Sequence, residues 1–234
     1  GNHMDPRERL RSTMARSGKW YDISNTADGV AVVRIYDEIS WWGVSADVLA
    51  SEIAQITAGT IEVQINSPGG NVFDGLAIYN ALRLHPARVV TRVDGLAASA
   101  ASAIAQAGDH RIMVSSSQMM IHEAWGACVG NAADMLDMAA LLGQQNAVLA
   151  ELYAERSGGD VEAFRAAMSA ETWYTAQAAV DAGLADEVLI PTRQDAPTNL
   201  ATAAAEAASG PQIAAPEAAS TGFDPALSLA LLDL

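Results

Sequence analysis

Apolar residues along this chain fall into two alternating rhythms. Val30-Ala31-Val32-Val33-Arg34-Ile35-Tyr36 is a nearly unbroken β-branched run, the pattern of a mostly buried strand. After it, Ser45 stands where a helix N-cap would, followed by Val48, Leu49, Ile53 and Ile56 at helical spacing. Thr60 to Ile65 reads as a second strand, broken by Asn66-Ser67-Pro68-Gly69-Gly70. Leu76, Ile78, Tyr79 and Leu82 predict a helix that closes near His85-Pro86.

The alternation continues. Ala87 to Val93 predicts a strand, Asp94-Gly95 a loop, and Ala97 to Ala107 a helix of small residues. Arg111 to Val114 and Gln118 to Ile121 read as short strands, and Gly126 to Gly130 as a loop. The longest helix is predicted from about Ala132 to Arg156, with Asn131 as N-cap and Asp134 as a capping acid. Its apolar face runs through Met135, Met138, Leu142, Leu149 and Leu152, and Gly158-Gly159 ends it. A short helix after Asp160, another capped by Thr175 up to Gly183, and a strand from Asp186 to Ile190 complete the pattern. Strands alternating with helices argue an α/β fold with a largely parallel sheet.

Three regions follow. Residues 1–28 are polar with little periodicity, so structure is expected to begin near Gly29, and Gly1-Asn2-His3 reads as a cloning remnant before Met4. Residues 29–190 carry the alternation and form one expected domain. Residues 191–234 open with an Ala-, Pro-, Ser- and Thr-rich stretch expected to be a flexible linker. They end in Leu227, Leu229, Leu231, Leu232 and Leu234, either a short docking helix or a frayed tail.

Charge narrows the class of partner. The net charge is −15, which repels phosphate backbones and argues against nucleic acid. Arg7, Arg9, Arg11, Arg16 and Lys19 nevertheless crowd the first twenty residues, as a solvated terminus or an arm for an acidic partner. A single cysteine, Cys128, allows no intrachain disulfide and fits a reducing compartment; a small thiol rather than a nucleophile is expected there. No apolar run reaches the ~20 residues of a membrane span, and no secretory signal is visible, so the expected location is cytoplasmic.

A serine hydrolase needs a nucleophile, a base, an acid to orient the base, and backbone donors for an oxyanion. Ser99 lies in Asp94-Gly95-Leu96-Ala97-Ala98-Ser99-Ala100-Ala101-Ser102, after a strand and at the start of a small-residue helix. Such a turn exposes its side chain and aims N–H groups outward; a tightly packed Ala/Ser helix would look the same. The paired glycines of Asn66-Ser67-Pro68-Gly69-Gly70 permit positive φ and could present an N–H to an oxyanion, or form an ordinary turn. His122 ends the apolar strand Met119-Met120-Ile121, placing it at a cleft. His85, before a proline, and His110, beside Asp109, are expected at the surface.

Taken together, NSPGG, GLAASAAS, AGDHRIMV, MMIHEAWG and TAQAAVDAGLADEV, in this order, resemble the ClpP family of serine peptidases over roughly Val30 to Ile190. The resemblance implies a ClpP/crotonase-like spiral of ββα units with a mostly parallel sheet and a long protruding helix. It implies Ser99 as nucleophile, His122 as base, and the Gly70 and Ala100 N–H groups as oxyanion hole, with no metal or organic cofactor. Where the family usually carries an aspartate, this chain reads Ala170-Glu171-Thr172-Trp173-Tyr174, so Glu171 is the aligned acid, with Asp181 and Asp186 as alternatives.

Trp125, the run Gly130-Asn131-Ala132-Ala133-Asp134-Met135, and Glu171-Thr172-Trp173 are similar to the ClpP-like peptidases of tailed phages and prophages. That branch implies maturation of a capsid by removal of scaffold or capsid-protein extensions, in the host cytoplasm or inside the prohead. The family also implies a homo-oligomeric ring, a protein or peptide substrate, and, for its housekeeping members, an AAA+ unfoldase. The Met/Leu face of the long helix would then meet another subunit, or pack on its own sheet. Two further readings stay open: an inactive ClpP-like scaffold subunit, and a crotonase-type acyl-CoA enzyme on the same fold.

Overall fold

The computed structural model describes residues 20–25, 29–39 and 45–192. The terminal arm and the Ala/Pro-rich tail predicted above therefore lie outside the described residues, apart from the few nearest the domain. Among the described residues eight strands form one sheet: β1 (Tyr21–Asn25), β2 (Val30–Ile35), β3 (Thr60–Ser67), β4 (Arg88–Ala98), β5 (His110–Val114), β6 (Gln118–Ile121), β7 (Thr172–Thr175) and β8 (Glu187–Leu189). Helices α1 (Ala46–Ala54), α2 (Val72–Arg83), α3 (Ala100–Ala105), α4 (Ala132–Ser157), α5 (Val161–Ser169) and α6 (Ala176–Asp181) intervene. The main path runs β1-β2-β3-β4-β5-β8, and every pairing is parallel except β1 with β2 and β6 with β7. The mostly parallel α/β architecture predicted from the alternation is the one observed.

The sequence reading misses two strands. β1 precedes Gly29, pairing Ile23 with Val33 of β2 and burying Trp20 and Tyr21. Its five residues alternate too briefly, among polar neighbours, to register as a strand. β7 lies just before the predicted helix capped by Thr175, in a stretch for which the sequence predicts no element; its backbone is extended because it covers the outer edge of β6.

A third difference matters for the site. Asp94-Gly95 is no loop: β4 continues through it to Ala98. The strand changes neighbour there. Val90 to Val93 pair with β5, whereas Leu96 to Ala98 pair with β6, so new backbone partners keep the second half extended. The Asn66 side-chain oxygen accepts from the Leu96 N–H at 3.1 Å and helps hold this crossover. The small-residue helix is correspondingly shorter than predicted.

α3 is buried along its whole length, which explains its composition. A Cβ added at Gly75 of α2 would meet the Ala100 Cβ at 2.9 Å, so neither helix has room for larger groups there. α4 begins with a reciprocal capping box between Asn131 and Asp134 and ends at Gly158 in the left-handed region, φ 72°. Its buried residues, Leu149, Ala150, Leu152, Tyr153 and Ala154, all lie in its second half. In a single chain Met135, Leu136 and Leu141 are exposed, so the first half does not pack on its own sheet.

His110 corrects another expectation. It is buried, with Nε2 2.8 Å from Glu187 Oε2, because β5 is an interior strand between β4 and β8. His85 is half-buried rather than free at the surface, its Nε2 3.1 Å from the Ile56 carbonyl oxygen.

Candidate active site

Three strand ends converge. β3 delivers the glycine turn, β4 delivers Ser99, and β6 delivers His122. Parallel register between β3 and β4 aligns Ser67 with Ala97, which brings the two following turns side by side.

Ser99 has φ 55° and ψ −126°, an unusual conformation for a residue with a side chain. Such a conformation costs about 1–3 kcal/mol and persists only where surrounding contacts fix it. Here they do. The Ser99 N–H donates to the Met120 carbonyl at 2.9 Å, and the Ser99 carbonyl accepts from the Ser102 N–H at 2.9 Å. The turn aims the hydroxyl at His122, whose Nε2 lies 2.8 Å from Ser99 Oγ.

His122 is half-buried, and burial lowers its pKa below the ordinary 6.5; the Glu171 carboxylate opposes that shift. The ring is therefore neutral near pH 7 and able to accept a proton. The segment beyond it is anchored by Glu123 N–H donating to the Met168 carbonyl at 3.2 Å and Ala124 N–H donating to Asn146 Oδ1 at 2.7 Å.

Glu171 reaches this neighbourhood through strand register. Ile121 pairs with Thr172 in the antiparallel β6–β7 ladder, so the next pair outward is His122 with Glu171. Glu171 also has a positive φ of 49°, and its Oε1 accepts from Trp173 Nε1 at 3.3 Å. Among the described residues its carboxylate makes no hydrogen bond to His122. The alternative acids are engaged elsewhere. Asp186 pairs with Arg111 at 2.5 Å, and Asp181 accepts from Gln177 at 2.9 Å on α6.

The glycine turn fits closely against the serine turn. Gly69 has φ 93°, and a Cβ there would lie 2.5 Å from the Ala98 oxygen and 3.0 Å from the Ala100 nitrogen. Gly70 has φ 148° and bridges to Ile39. That bridge uses the Gly69 carbonyl and the Asn71 N–H, which leaves the Gly70 N–H directed away from it. Ala100 is the first residue of α3, where N–H groups have no helical acceptor. Among the described residues neither amide has a hydrogen-bond acceptor, and both belong to turns that meet at Ser99.

Two residues of this neighbourhood were not singled out from the sequence. Ser102 Oγ donates to the Ser99 carbonyl at 2.5 Å and lies 2.8 Å from the Tyr153 hydroxyl. Ser102 follows Ser99 at the spacing of a helical turn, a signal that was there to read. Nothing local points to Tyr153, which arrives from α4. Cys128 stands apart, with its thiol near the Asp134 carbonyl at 3.7 Å. Among the described residues, no group of three or more His, Cys, Asp or Glu could hold a metal ion, and no helix is long and apolar enough to cross a membrane.

The family profile described as Clp protease matches residues 15–192. The chain belongs to the Clp protease family. It is thus a ClpP-type serine peptidase by family, which decides against the crotonase reading. Among curated Clp relatives, the ATP-dependent Clp protease proteolytic subunit of Ligilactobacillus salivarius (strain UCC118) is 36% identical over 138 residues, covering 58% of this chain and 70% of the relative. Proteolytic subunit 3 of Rhodococcus jostii (strain RHA1) is 35% identical over 150 residues, 62% of this chain and 74% of that one. Proteolytic subunit 2 of Corynebacterium diphtheriae (strain ATCC 700971 / NCTC 13129 / Biotype gravis) is 29% identical over 193 residues, 78% and 94% of the two chains.

Proposed function

We propose that this Clp protease cleaves protein substrates through an acyl-enzyme on Ser99, and that it works in the maturing head of a tailed phage or prophage. The observation that carries the chemistry is the 2.8 Å contact between Ser99 Oγ and His122 Nε2. His122 takes the hydroxyl proton as Oγ attacks the scissile carbonyl carbon. The carbonyl oxygen becomes an oxyanion that accepts from the Gly70 and Ala100 N–H groups. The imidazolium, stabilised by Glu171, then protonates the leaving amine, leaving an ester on Ser99. Water, deprotonated by His122, hydrolyses that ester and restores the hydroxyl.

The phage setting is supported by the resemblance of the segments around Trp125, Asn131 and Trp173, and by the Ala/Pro-rich tail with its leucine-rich end. In that setting the substrates are scaffold or capsid-protein extensions, cut without ATP in the host cytoplasm or prohead. A homo-oligomeric ring is supported by the exposed Met135, Leu136 and Leu141 on the projecting half of α4, a face that a second copy would cover. The relatives are named ATP-dependent proteolytic subunits, which favours a second reading, a subunit whose work on protein needs ATP and hence an AAA+ unfoldase.

Intact mass after treatment with a fluorophosphonate tests the chemistry. A single adduct on the wild type that is absent from Ser99→Ala is expected; no adduct on a confirmed ring would leave a scaffold subunit. Cleavage of an unfolded protein without nucleotide then separates the two settings, since strict dependence on an added unfoldase would overturn the phage reading.

A further inference from the structure

The Ser99 carbonyl and the Ala100 N–H are two ends of one peptide group. Whatever grips the carbonyl therefore also sets the direction of the amide on the far side. Two donors grip it, the Ser102 N–H at 2.9 Å and the Ser102 Oγ at 2.5 Å.

A serine hydroxyl has a single proton to donate. With that proton committed to the Ser99 carbonyl, Ser102 Oγ must act as acceptor in its 2.8 Å contact with the Tyr153 hydroxyl. The chain thus has one direction: Tyr153 O–H donates to Ser102, and Ser102 O–H donates to the Ser99 carbonyl. Both links are sealed from water, with Ser102 0% and Tyr153 1% exposed. Burial raises the Tyr153 pKa, so the phenol keeps the proton this direction requires. Consecutive hydrogen bonds polarise one another, by about 10–30% per bond, and a peptide whose carbonyl is so held presents a stronger N–H donor.

We propose that Ser102 and Tyr153 are positioning residues that orient and polarise the Ser99–Ala100 peptide as an oxyanion donor, tying the catalytic turn to the last turns of α4. This rests on Ser99 as nucleophile and the Ala100 N–H as oxyanion donor. The link is backbone-directed and does not touch the reacting atoms. Its effect belongs to the bond-making step rather than to encounter with substrate.

Saturation kinetics of fluorophosphonate labelling separate these, because kinact reports bond making and KI reports encounter. Wild type, Ser99→Ala, Tyr153→Phe, Ser102→Ala and the double variant Ser102→Ala/Tyr153→Phe are compared, each with its thermal melt. Removing an entire oxyanion donor costs about 10²–10³-fold, so an indirect loss of about three- to tenfold in kinact is expected for Tyr153→Phe and about ten- to thirtyfold for Ser102→Ala, with KI unchanged. Tyr153→Phe keeps the ring that packs 5.9 Å from Phe164. The double variant leaves no orphaned hydroxyl, so its melt should recover part of the Ser102→Ala loss while its kinact stays low. Wild-type kinact in both single variants, with Ser99→Ala unlabelled, would overturn the inference alone. So would a kinact that recovers together with the melt in the double variant, which would reduce the pair to packing. Labelling that persists in Ser99→Ala would sink the nucleophile reading and this inference with it.

Discussion

Gly69 and Ser99 touch so closely that a Cβ on Gly69 would sit 2.7 Å from the Ser99 Cβ. Atoms that close must separate, and Gly69 also has a φ of 93° that disfavours any side chain. Gly69→Ala should push the two turns apart and pull the Gly70 and Ala100 amides out of line. A misplacement of about 1 Å can cost about 10²-fold, and a loss of that order in fluorophosphonate labelling rate is expected. Labelling at the wild-type rate by a folded Gly69→Ala would show that the turns are not jointly required.

The pH profile follows from His122. Activity needs the neutral ring, so kcat/KM should rise with pH through the folded-state pKa and stay flat above it. Burial places that rise below 6.5. Glu171 opposes the shift, so Glu171→Gln should move the acid limb to still lower pH. Its plateau should fall by about 10–10²-fold, less than the ~10⁴-fold seen when a directly hydrogen-bonded triad acid is neutralised. A limb that moves to higher pH in Glu171→Gln would count against the pairing.

Asp186 provides the contrast. Its carboxylate holds Arg111 at 2.5 and 3.0 Å, and Arg111 is 8% exposed. Asp186→Asn weakens a mostly buried ion pair and should lower stability by about 3 kcal/mol, the low end for such pairs because Asp186 is partly solvated. Its labelling rate should stay near wild type below the melt. Glu171→Gln should show the reverse, a wild-type melt with slow chemistry. An exchange of these two phenotypes in melting and labelling assays would make Asp186 the acid.

The projecting half of α4 gives a test of assembly. Leu136 is 70% exposed in one chain, so Leu136→Glu should change the monomer's stability by less than about 0.5 kcal/mol. In a ring built through this face it buries a charge and should shift sedimentation toward smaller species. Sedimentation unchanged from an oligomeric wild type would place the contact elsewhere.

The sequence made the architecture legible wherever periodicity was long. The β-branched runs of β2 and β3 and the capped span of α4 were all readable. It was least legible where tertiary pairing overrides local signals. Gly95 reads as a chain break, yet β4 only shifts register against β3 around it, and pairing with β6 from Leu96 to Ala98 carries the strand on. Thr172 to Tyr174 lead up to the helix cap Thr175 and look like its approach, but the bare edge of β6 makes the four a strand. Ser99, His122 and the glycine turn were visible because each stands at the end of a recognisable strand. Tyr153 was not, because its contact with Ser102 joins positions far apart in the chain and depends on how α4 crosses the domain.

β7 carries a consequence for synthesis. His122 follows a four-residue strand whose outer edge is closed only when Thr172–Thr175 pair with it. Chains emerge from the ribosome from the N-terminus at about 5–20 residues per second, so Ser99 and His122 are exposed to the cell seconds before β7 exists. Through that interval β6 has an open edge and no facing carboxylate. The ladder that sets Glu171 across from His122 thus forms only once the final part of the domain has been made, and a chain ending before Thr172 lacks it.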